Sequence, residues 1–200
     1  MSISRRGFLI GASALLAGCA TNGTSDRANY GDRLDEKHPL RAMPLDKIKP
    51  ELRRRTVEYD GNHKAGTVVV DTPARRLYYV LGNNRAIRYG VRVGRDGFTW
   101  TGVQKISRKA EWPDWRPPPE MLQRQPYLPR FMAGGPGNPM GARALYLGST
   151  VFRIHGTNQP ETIGQAISSG CFRLANGDIA DLYDRVPVGT KVVIRHKAAL

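Results

Sequence analysis

The residues around Cys171 are of the types that nucleophilic chemistry requires. Ser169 and Gly170 precede the thiol, and Phe172 and Arg173 follow it. Small residues let the backbone bend closely around a sulfur, so that consecutive amides can point at one oxygen. A thiol at its ordinary pKa of about 8.5 is only a few per cent ionised at neutral pH, so it needs a base or a cation nearby. The segment is typical of a cysteine nucleophile.

His155 is the best candidate for that base. It ends a β-branched and aromatic run, 151–155, and precedes Gly156, so we expect it at the end of a strand where a loop begins. No carboxylate is evident beside it, and a backbone carbonyl such as that of Gly156 is expected to orient the ring. The remaining histidines lie in segments that read as surface: His38, His63 and His196.

Metal binding is not expected. A structural zinc site needs four ligands, and one cysteine with one histidine cannot supply them. We therefore predict neither a metal nor a cofactor.

The first nineteen residues, 1–19, read as an export signal. Arg5 and Arg6 precede a short apolar stretch, a pattern typical of twin-arginine signal peptides. The end of this segment resembles the lipobox of bacterial lipoproteins, which implies that Cys19 carries a lipid; ordinary cleavage nearby is the alternative. We expect the protein at the periplasmic face of a bacterial envelope, anchored to the membrane through Cys19.

The predicted export signal changes how an unpaired cysteine is interpreted. The chain has two cysteines, and lipidation of Cys19 would leave Cys171 without a disulfide partner. A buried cysteine often serves only as a small apolar side chain. An oxidising compartment disfavours a spare thiol, however, which favours a chemical role for Cys171.

The charge of the chain is strongly positive. Its net charge is +14, and losing Arg5 and Arg6 still leaves 29 Lys and Arg against 17 Asp and Glu, or +12. An acidic partner such as a carboxylate-bearing wall polymer or anionic lipid fits this charge, although solubility alone would also explain scattered cations. Export and the lack of a recognisable module argue against nucleic acid.

Proline and charge divide the remaining chain in two. Residues 20–65 are polar and charged and carry Pro39, Pro44 and Pro50, which predicts a tether and an extended arm with one or two helical turns. The remainder, 66–196, is long enough for one globular domain. We expect a monomer.

Short β-branched and aromatic runs separated by turn residues fill the domain. These runs are 67–72, 75–81, 85–93, 144–147, 151–155 and 191–195. Many short strands with little helical periodicity predict a mainly β fold, an antiparallel β-sandwich or barrel-like sheet.

One helix is predicted directly after the nucleophile. Asn176 can cap it, and Ile179 and Leu182 recur at helical spacing before Pro187. It is expected to pack beside the site and stiffen it.

The stretch 107–141 is rich in proline and glycine and has no clear period. A loop of this length is usually functional, which predicts a lid. Its tryptophans, Trp112 and Trp115, could equally anchor the loop on the sheet.

These motifs together resemble the signature of the L,D-transpeptidases with a YkuD-type domain. The matching features are His155 with the Gly-Thr-Asn that follows, the gap of sixteen positions to Cys171, and the segment 168–174. The resemblance covers roughly residues 66–195. The chain departs from the commonest pattern at Ser169, where many relatives have histidine, and at Phe172, where a smaller aliphatic residue is usual.

The resemblance implies roles for individual residues. Cys171 would be the nucleophile, His155 the general base, and the amides around Gly170 and Cys171 the oxyanion hole. Arg173 matches a substrate-binding position, and Ser169 and Gly156 would line the same site.

The resemblance also implies a reaction on peptidoglycan stem peptides. Cys171 would attack the carbonyl of the third residue, expel the terminal D-alanine and form a thioester. An amine of a neighbouring stem would then give a 3-3 cross-link, water would give a carboxypeptidase, and a protein lysine would attach a lipoprotein to the wall. A non-catalytic peptidoglycan-binding lipoprotein is the remaining alternative.

Overall fold

The fold is that of a computed structural model of the chain. The residues it describes are 31–34, 37–42, 45–96 and 98–196. The predicted signal segment with Cys19, and the start of the tether, lie outside the described residues. Across the described ranges, every helix is too short or too polar to cross a bilayer.

Strands dominate the described chain, with few helices, as predicted. The strands are β1 (Arg55–Glu58), β2 (Val68–Asp71), β3 (Arg76–Gly82), β4 (Arg85–Gly90), β5 (Val93–Gly94), β6 (Gly102–Glu111), β7 (Arg143–Leu147), β8 (Arg153–His155), β9 (Ala166–Ser168), β10 (Phe172–Arg173) and β11 (Lys191–Arg195). The α-helices are α1 (Pro119–Arg124) and α2 (Asn176–Arg185), and short 3-10 helices cover Leu45–Lys47, Pro50–Leu52 and Pro160–Thr162.

Nine of these strands form one large mixed sheet, in the order β1-β4-β3-β2-β11-β6-β7-β8-β10, and β5 pairs separately with β9. The pairs β2–β11 and β8–β10 are parallel, whereas the other neighbours in the large sheet are antiparallel. The predicted antiparallel sheet is therefore wrong at these pairs. Parallel neighbours need a long connection, and the chain returns as β11 only after crossing through α2.

Helix α2 packs on one face of the sheet and builds the main core. Its residues Ile179 and Leu182 are fully buried in a cluster with Val68 and Val70 of β2 and residues of β6, β7, β8 and β11. The hydroxyl of Tyr89 also donates to Asp181 Oδ2 at 2.6 Å. The helix that follows the nucleophile is thus fixed to the sheet.

The predicted arm is part of the packed structure. Residues Arg55–Glu58 form β1, which pairs with β4 along its whole length. Ile48 and Leu52 are buried against Ile163 and Ala175. The folded chain therefore begins before residue 66, because the arm supplies an edge strand and an apolar cluster of its own.

The long loop of the domain, residues 112–142, begins later than predicted. Strand β6 continues to Glu111, and α1 lies inside the loop. Trp112 anchors the base of the loop: it is buried with Leu40, and its Nε1 donates to the His38 carbonyl at 3.0 Å. The His38 ring meets the Trp112 ring edge-on at 5.5 Å, and His38 Nε2 lies 3.0 Å from the Gly134 carbonyl. His38, predicted as a surface residue, instead joins the arm to the loop.

Candidate active site

The register of β8 and β10 brings Cys171 and His155 together. Their parallel pairing places Arg173 opposite His155, and Cys171 directly precedes β10, so it lies beside Arg153. The backbone amide of Arg153 is close enough to favour the thiolate form of Cys171. Cys171 is partly exposed and His155 is buried, and both line one cavity of about 470 Å³.

Ser168 holds the turn that carries the thiol. Its hydroxyl donates to the Cys171 carbonyl at 2.6 Å and accepts from the Gly170 amide at 3.3 Å. Gly170 has a φ of +100°, and a Cβ there would collide with the Phe152 ring. The indole of Trp100 closes the turn by donating to the Gly170 carbonyl at 3.2 Å. Only glycine fits this position without strain.

The two backbone amides predicted for the oxyanion hole, those of Gly170 and Cys171, differ in their existing hydrogen bonds. The Gly170 amide already contacts the Ser168 hydroxyl. Among the turn and loop hydrogen bonds of the described residues, the Cys171 amide has no backbone acceptor. Of the two amides, that of Gly170 is therefore engaged by the turn, and that of Cys171 is the candidate donor beside the sulfur.

His155 is oriented by backbone groups. Its Nδ1 lies 2.8 Å from the carbonyl oxygen of Gly156. A neutral ring that donates from Nδ1 leaves Nε2 as an acceptor. The carbonyl of Met140 also contacts the ring and favours its protonated form.

Asn176 positions the loop behind His155 rather than capping the helix as predicted. The N-cap residue of α2 is Ala175, without a side-chain cap. Asn176 Oδ1 instead accepts from the amides of Ala142 at 3.0 Å and Thr157 at 3.1 Å. The side chain therefore ties the end of the long loop to the segment that begins at Gly156.

Burial keeps both reactive groups neutral. Burial lowers the pKa of His155 well below its ordinary value, and the charges of Arg173 and Arg153 act in the same direction. Burial raises the pKa of the Cys171 thiol, although the Arg153 amide and both arginine charges oppose this rise. The resting pair is therefore a neutral thiol and a neutral imidazole. His155 is then already in the form that can accept the thiol proton.

The long loop roofs the cavity that holds the thiol, which we call the thiol cavity. Trp115, Pro117 and Met121 of the loop line it, together with Phe152 and Arg153 from the sheet side. Met121 belongs to α1, so this helix forms part of the roof. The loop thus contributes to the cavity wall, and its function as a lid stays a prediction.

The predicted site residues fall into two groups. Ser169 and Arg173 line the thiol cavity with Cys171 and His155, whereas Gly170 and Gly156 support the pair from behind. Sequence reasoning assigned no role to Ser168, Trp100 or Arg153, and only the hydroxyl of Ser168 beside the motif offered a signal. The structure describes no group of three or more potential metal ligands in the ranges it covers.

Comparison with known proteins identifies the family. The family model of the YkuD L,D-transpeptidase catalytic domain matches residues 65–194. The chain belongs to this family. Cys171, His155 and the loop above them all lie inside the matched L,D-transpeptidase domain.

Relatives of this L,D-transpeptidase domain agree in sequence and in fold. A protein of Escherichia coli described as the probable L,D-transpeptidase ErfK/SrfK is 40% identical over 136 residues, which are 64% of this chain and 43% of that protein. The chain thus spans less than half the length of this curated relative. The catalytic domain of an E. faecium L,D-transpeptidase, solved as acylated by ertapenem, shares the fold at 18% identity, with a TM-score of 0.51, covering 68% of this chain and 100% of that one.

A solved chain from Brucella melitensis is more similar in sequence to this L,D-transpeptidase domain. It is 44% identical with a TM-score of 0.50, and the match covers 78% of this chain and 99% of that one. It is described as a probable carnitine operon oxidoreductase, a description that applies to that protein alone.

Proposed function

We propose that the protein is a peptidoglycan L,D-transpeptidase with Cys171 as its nucleophile. The observation that carries the proposal is the β8–β10 register, which places a thiol and a buried neutral imidazole in one cavity below the long loop. Membership in the YkuD family supplies the substrate class, the stem peptides of peptidoglycan.

The first half of the reaction forms a thioester. His155 accepts the proton of Cys171 at Nε2 as the sulfur attacks the carbonyl of the third residue of a tetrapeptide stem. The Cys171 amide stabilises the oxyanion, and one such donor is typically worth about 3 to 4 kcal/mol. The carbon–nitrogen bond then breaks, and the imidazolium of His155 returns its proton to the departing amine of D-alanine.

The second half transfers the acyl group to an acceptor. A diamino-acid amine of a neighbouring stem loses a proton to His155 and attacks the thioester, which releases the Cys171 thiol and leaves a 3-3 cross-link. Water in place of the amine gives an L,D-carboxypeptidase, and a protein lysine attaches a lipoprotein to the wall. These outcomes share one acyl-enzyme and differ only in the group that enters the site.

The proposal includes a place in the cell. The signal pattern of residues 1–19 supports export to the periplasmic face of the envelope, where stem peptides are found. A lipid on Cys19 would hold the catalytic domain, which we expect to be a monomer, near the membrane. The net charge of +12 that remains after loss of Arg5 and Arg6 favours the carboxylate-bearing wall.

Mass spectrometry of the enzyme and its products tests the proposal. The mature protein is incubated with disaccharide-tetrapeptide, and we expect an acyl adduct on Cys171 together with dimer or tripeptide products. Cys171→Ser should form neither. A binding lipoprotein without catalysis would leave the substrate intact with both proteins, and that result would refute the enzyme.

A further inference from the structure

A second cavity, of about 500 Å³, adjoins the thiol cavity, and we call it the arginine-lined cavity. Its cations are Arg92, Arg95, Arg124 and Arg173, and the described residues place no Asp or Glu in its wall. It shares five wall residues with the thiol cavity: Trp115, Met121, Pro139, Ser169 and Arg173. A ligand in the arginine-lined cavity would therefore lie next to the cavity that holds Cys171.

Arg92 and Arg173 are neighbours in the wall of this cavity. Their backbones exchange two hydrogen bonds of 2.9 and 3.0 Å, so the two side chains start from directly opposed positions on one face. Arg92 is only 8% exposed, and its Nη1 donates to Thr162 Oγ1 at 3.1 Å. The Nε atoms of both arginines are buried and have no acceptor among the described residues.

No carboxylate neutralises this pair within the described chain. Neither Arg92 nor Arg173 has an acidic oxygen of that part of the chain within 4.0 Å. Burial, together with the charge of Arg173, lowers the pKa of Arg92 to about 10, and Glu161 offsets this only in part. Two adjacent buried cations destabilise the fold unless an anion compensates them.

We propose that the arginine-lined cavity is a binding site for an amino-acid carboxylate, which Arg92 and Arg173 bind together. A guanidinium fork suits a carboxylate, and two forks side by side can use both of its oxygens. The inference rests on the proposed function for the source of that carboxylate. It belongs either to the terminal D-alanine of the acyl donor or to the amino acid whose amine accepts the acyl group.

Binding of D-alanine to the Cys171→Ala protein provides a test that is independent of catalysis. In an NMR titration we expect D-alanine to bind and D-alaninamide, which lacks the carboxylate, to bind at least tenfold more weakly. Arg92→Gln should weaken D-alanine binding about tenfold to a hundredfold, the range for a hydrogen bond to a charged group. Arg92→Lys should retain part of the affinity, because it keeps the charge but not the fork.

Arg85→Gln is the matched control, because it removes an exposed arginine at the far end of the strand that leads to Arg92. It should leave binding unchanged. Thr162→Val deletes the hydroxyl that orients Arg92 and should also weaken binding, so the test does not depend on the folding of one variant. D-alanine affinity that is the same in all these proteins, or equal affinity for D-alaninamide, would overturn the proposal.

Two kinetic readouts distinguish the sources of the carboxylate. If it belongs to the donor, Arg92→Gln should slow formation of the acyl-enzyme from tetrapeptide. If it belongs to the acceptor, acylation should be unchanged and the ratio of dimer to tripeptide should fall. Absence of any acyl-enzyme in the unaltered protein would instead refute the proposed transpeptidase, while the titration still decides the binding site.

Discussion

The hydroxyl of Ser168 donates to the Cys171 carbonyl at 2.6 Å while it accepts from the amide of Gly170. One side chain therefore fixes the backbone on both sides of the nucleophile. Because the Cys171 amide is the donor that meets an oxyanion in the proposed reaction, the aim of that amide depends on Ser168.

Replacing Ser168 should reduce acylation without removing the nucleophile. Ser168→Ala deletes a buried hydroxyl with two backbone partners, which should cost about 1 to 3 kcal/mol of unfolding free energy. Carbapenem acylation, followed by intact mass, should slow by more than tenfold as the turn loosens. Ser107→Ala is the control, since that hydroxyl likewise has two backbone partners, the carbonyls of Tyr146 and Gly148, but lies away from the site. Equal acylation by both variants would contradict the role of Ser168.

Substitution by alanine should lower the unfolding free energy more at Gly170 than at Gly189, a glycine with a similar φ. Gly189 has a φ of +93° and open space where a Cβ would lie, so Gly189→Ala reports only the backbone strain, about 1 to 2 kcal/mol. Gly170→Ala adds the collision with Phe152 and should lower the unfolding free energy further. Chemical denaturation of both variants measures the difference, and equal losses would show that the Phe152 ring can move aside.

The rate of acylation should depend on pH through His155. Because burial holds the pKa of His155 well below 6.5, the base is already neutral at pH 7, and the rate should be flat between pH 7 and 8. His155→Ala should react about 10² to 10⁴ times more slowly at pH 7. Its rate should rise about tenfold per pH unit, because only the thiolate fraction of a thiol with a raised pKa then reacts. A flat profile for His155→Ala would exclude His155 as the base.

The unfolding free energy should decrease at acidic pH, again because burial lowers the pKa of His155. The pKa of His155 is lower in the folded than in the unfolded chain, so the unfolded chain binds the extra proton below pH 6.5. The unfolding free energy should therefore be greatest above pH 6.5 and decrease as the pH falls. His155→Asn should lose less between pH 7 and 5, and an identical decrease in both proteins would assign the effect to other groups.

The contact between the arm and the long loop should control the order of that loop. His38→Ala removes the edge-on contact with Trp112 and the hydrogen bond to Gly134. We expect faster proteolysis within residues 112–142 and a higher KM for tetrapeptide. His63→Ala is the matched control, because His63 contacts Tyr59 rather than the loop. Protection of the loop equal to that of the unaltered protein would show that Trp112 anchors it without His38.

The sequence predicted the reacting pair better than the groups that hold it. Cys171 and His155 belong to a motif whose residue types indicate their chemistry. Asn176 was interpreted as a helix cap because its amide precedes a helical period, yet its partners are the amides of Ala142 and Thr157. Partners distant in sequence leave no local pattern, so this contact of Asn176 could not be predicted, whereas the Gly156 carbonyl that orients the His155 ring was predicted from its neighbouring position.

The strands likewise divide into those that the sequence predicted and those that it did not. The runs that became β2, β3 and β4 carry alternating or continuous apolar residues and were predicted within a few residues. Strand β6 was missed because Ile106 is its one fully buried apolar side chain, and polar or charged residues fill most other positions. The parallel pairing of β2 with β11 joins Val68 to Val192, a separation that no short-range pattern reports.

The central place of β11 determines when the large sheet can be completed during biosynthesis. Lys191–Arg195 is the last strand to be made, and it alone joins β2 on one side of the large sheet to β6 on the other. The strands that carry Cys171 and His155 are therefore linked through the sheet to the N-terminal strands only once the end of the domain has been synthesised. A ribosome-bound or C-terminally truncated chain has the thiol without the completed sheet that positions it.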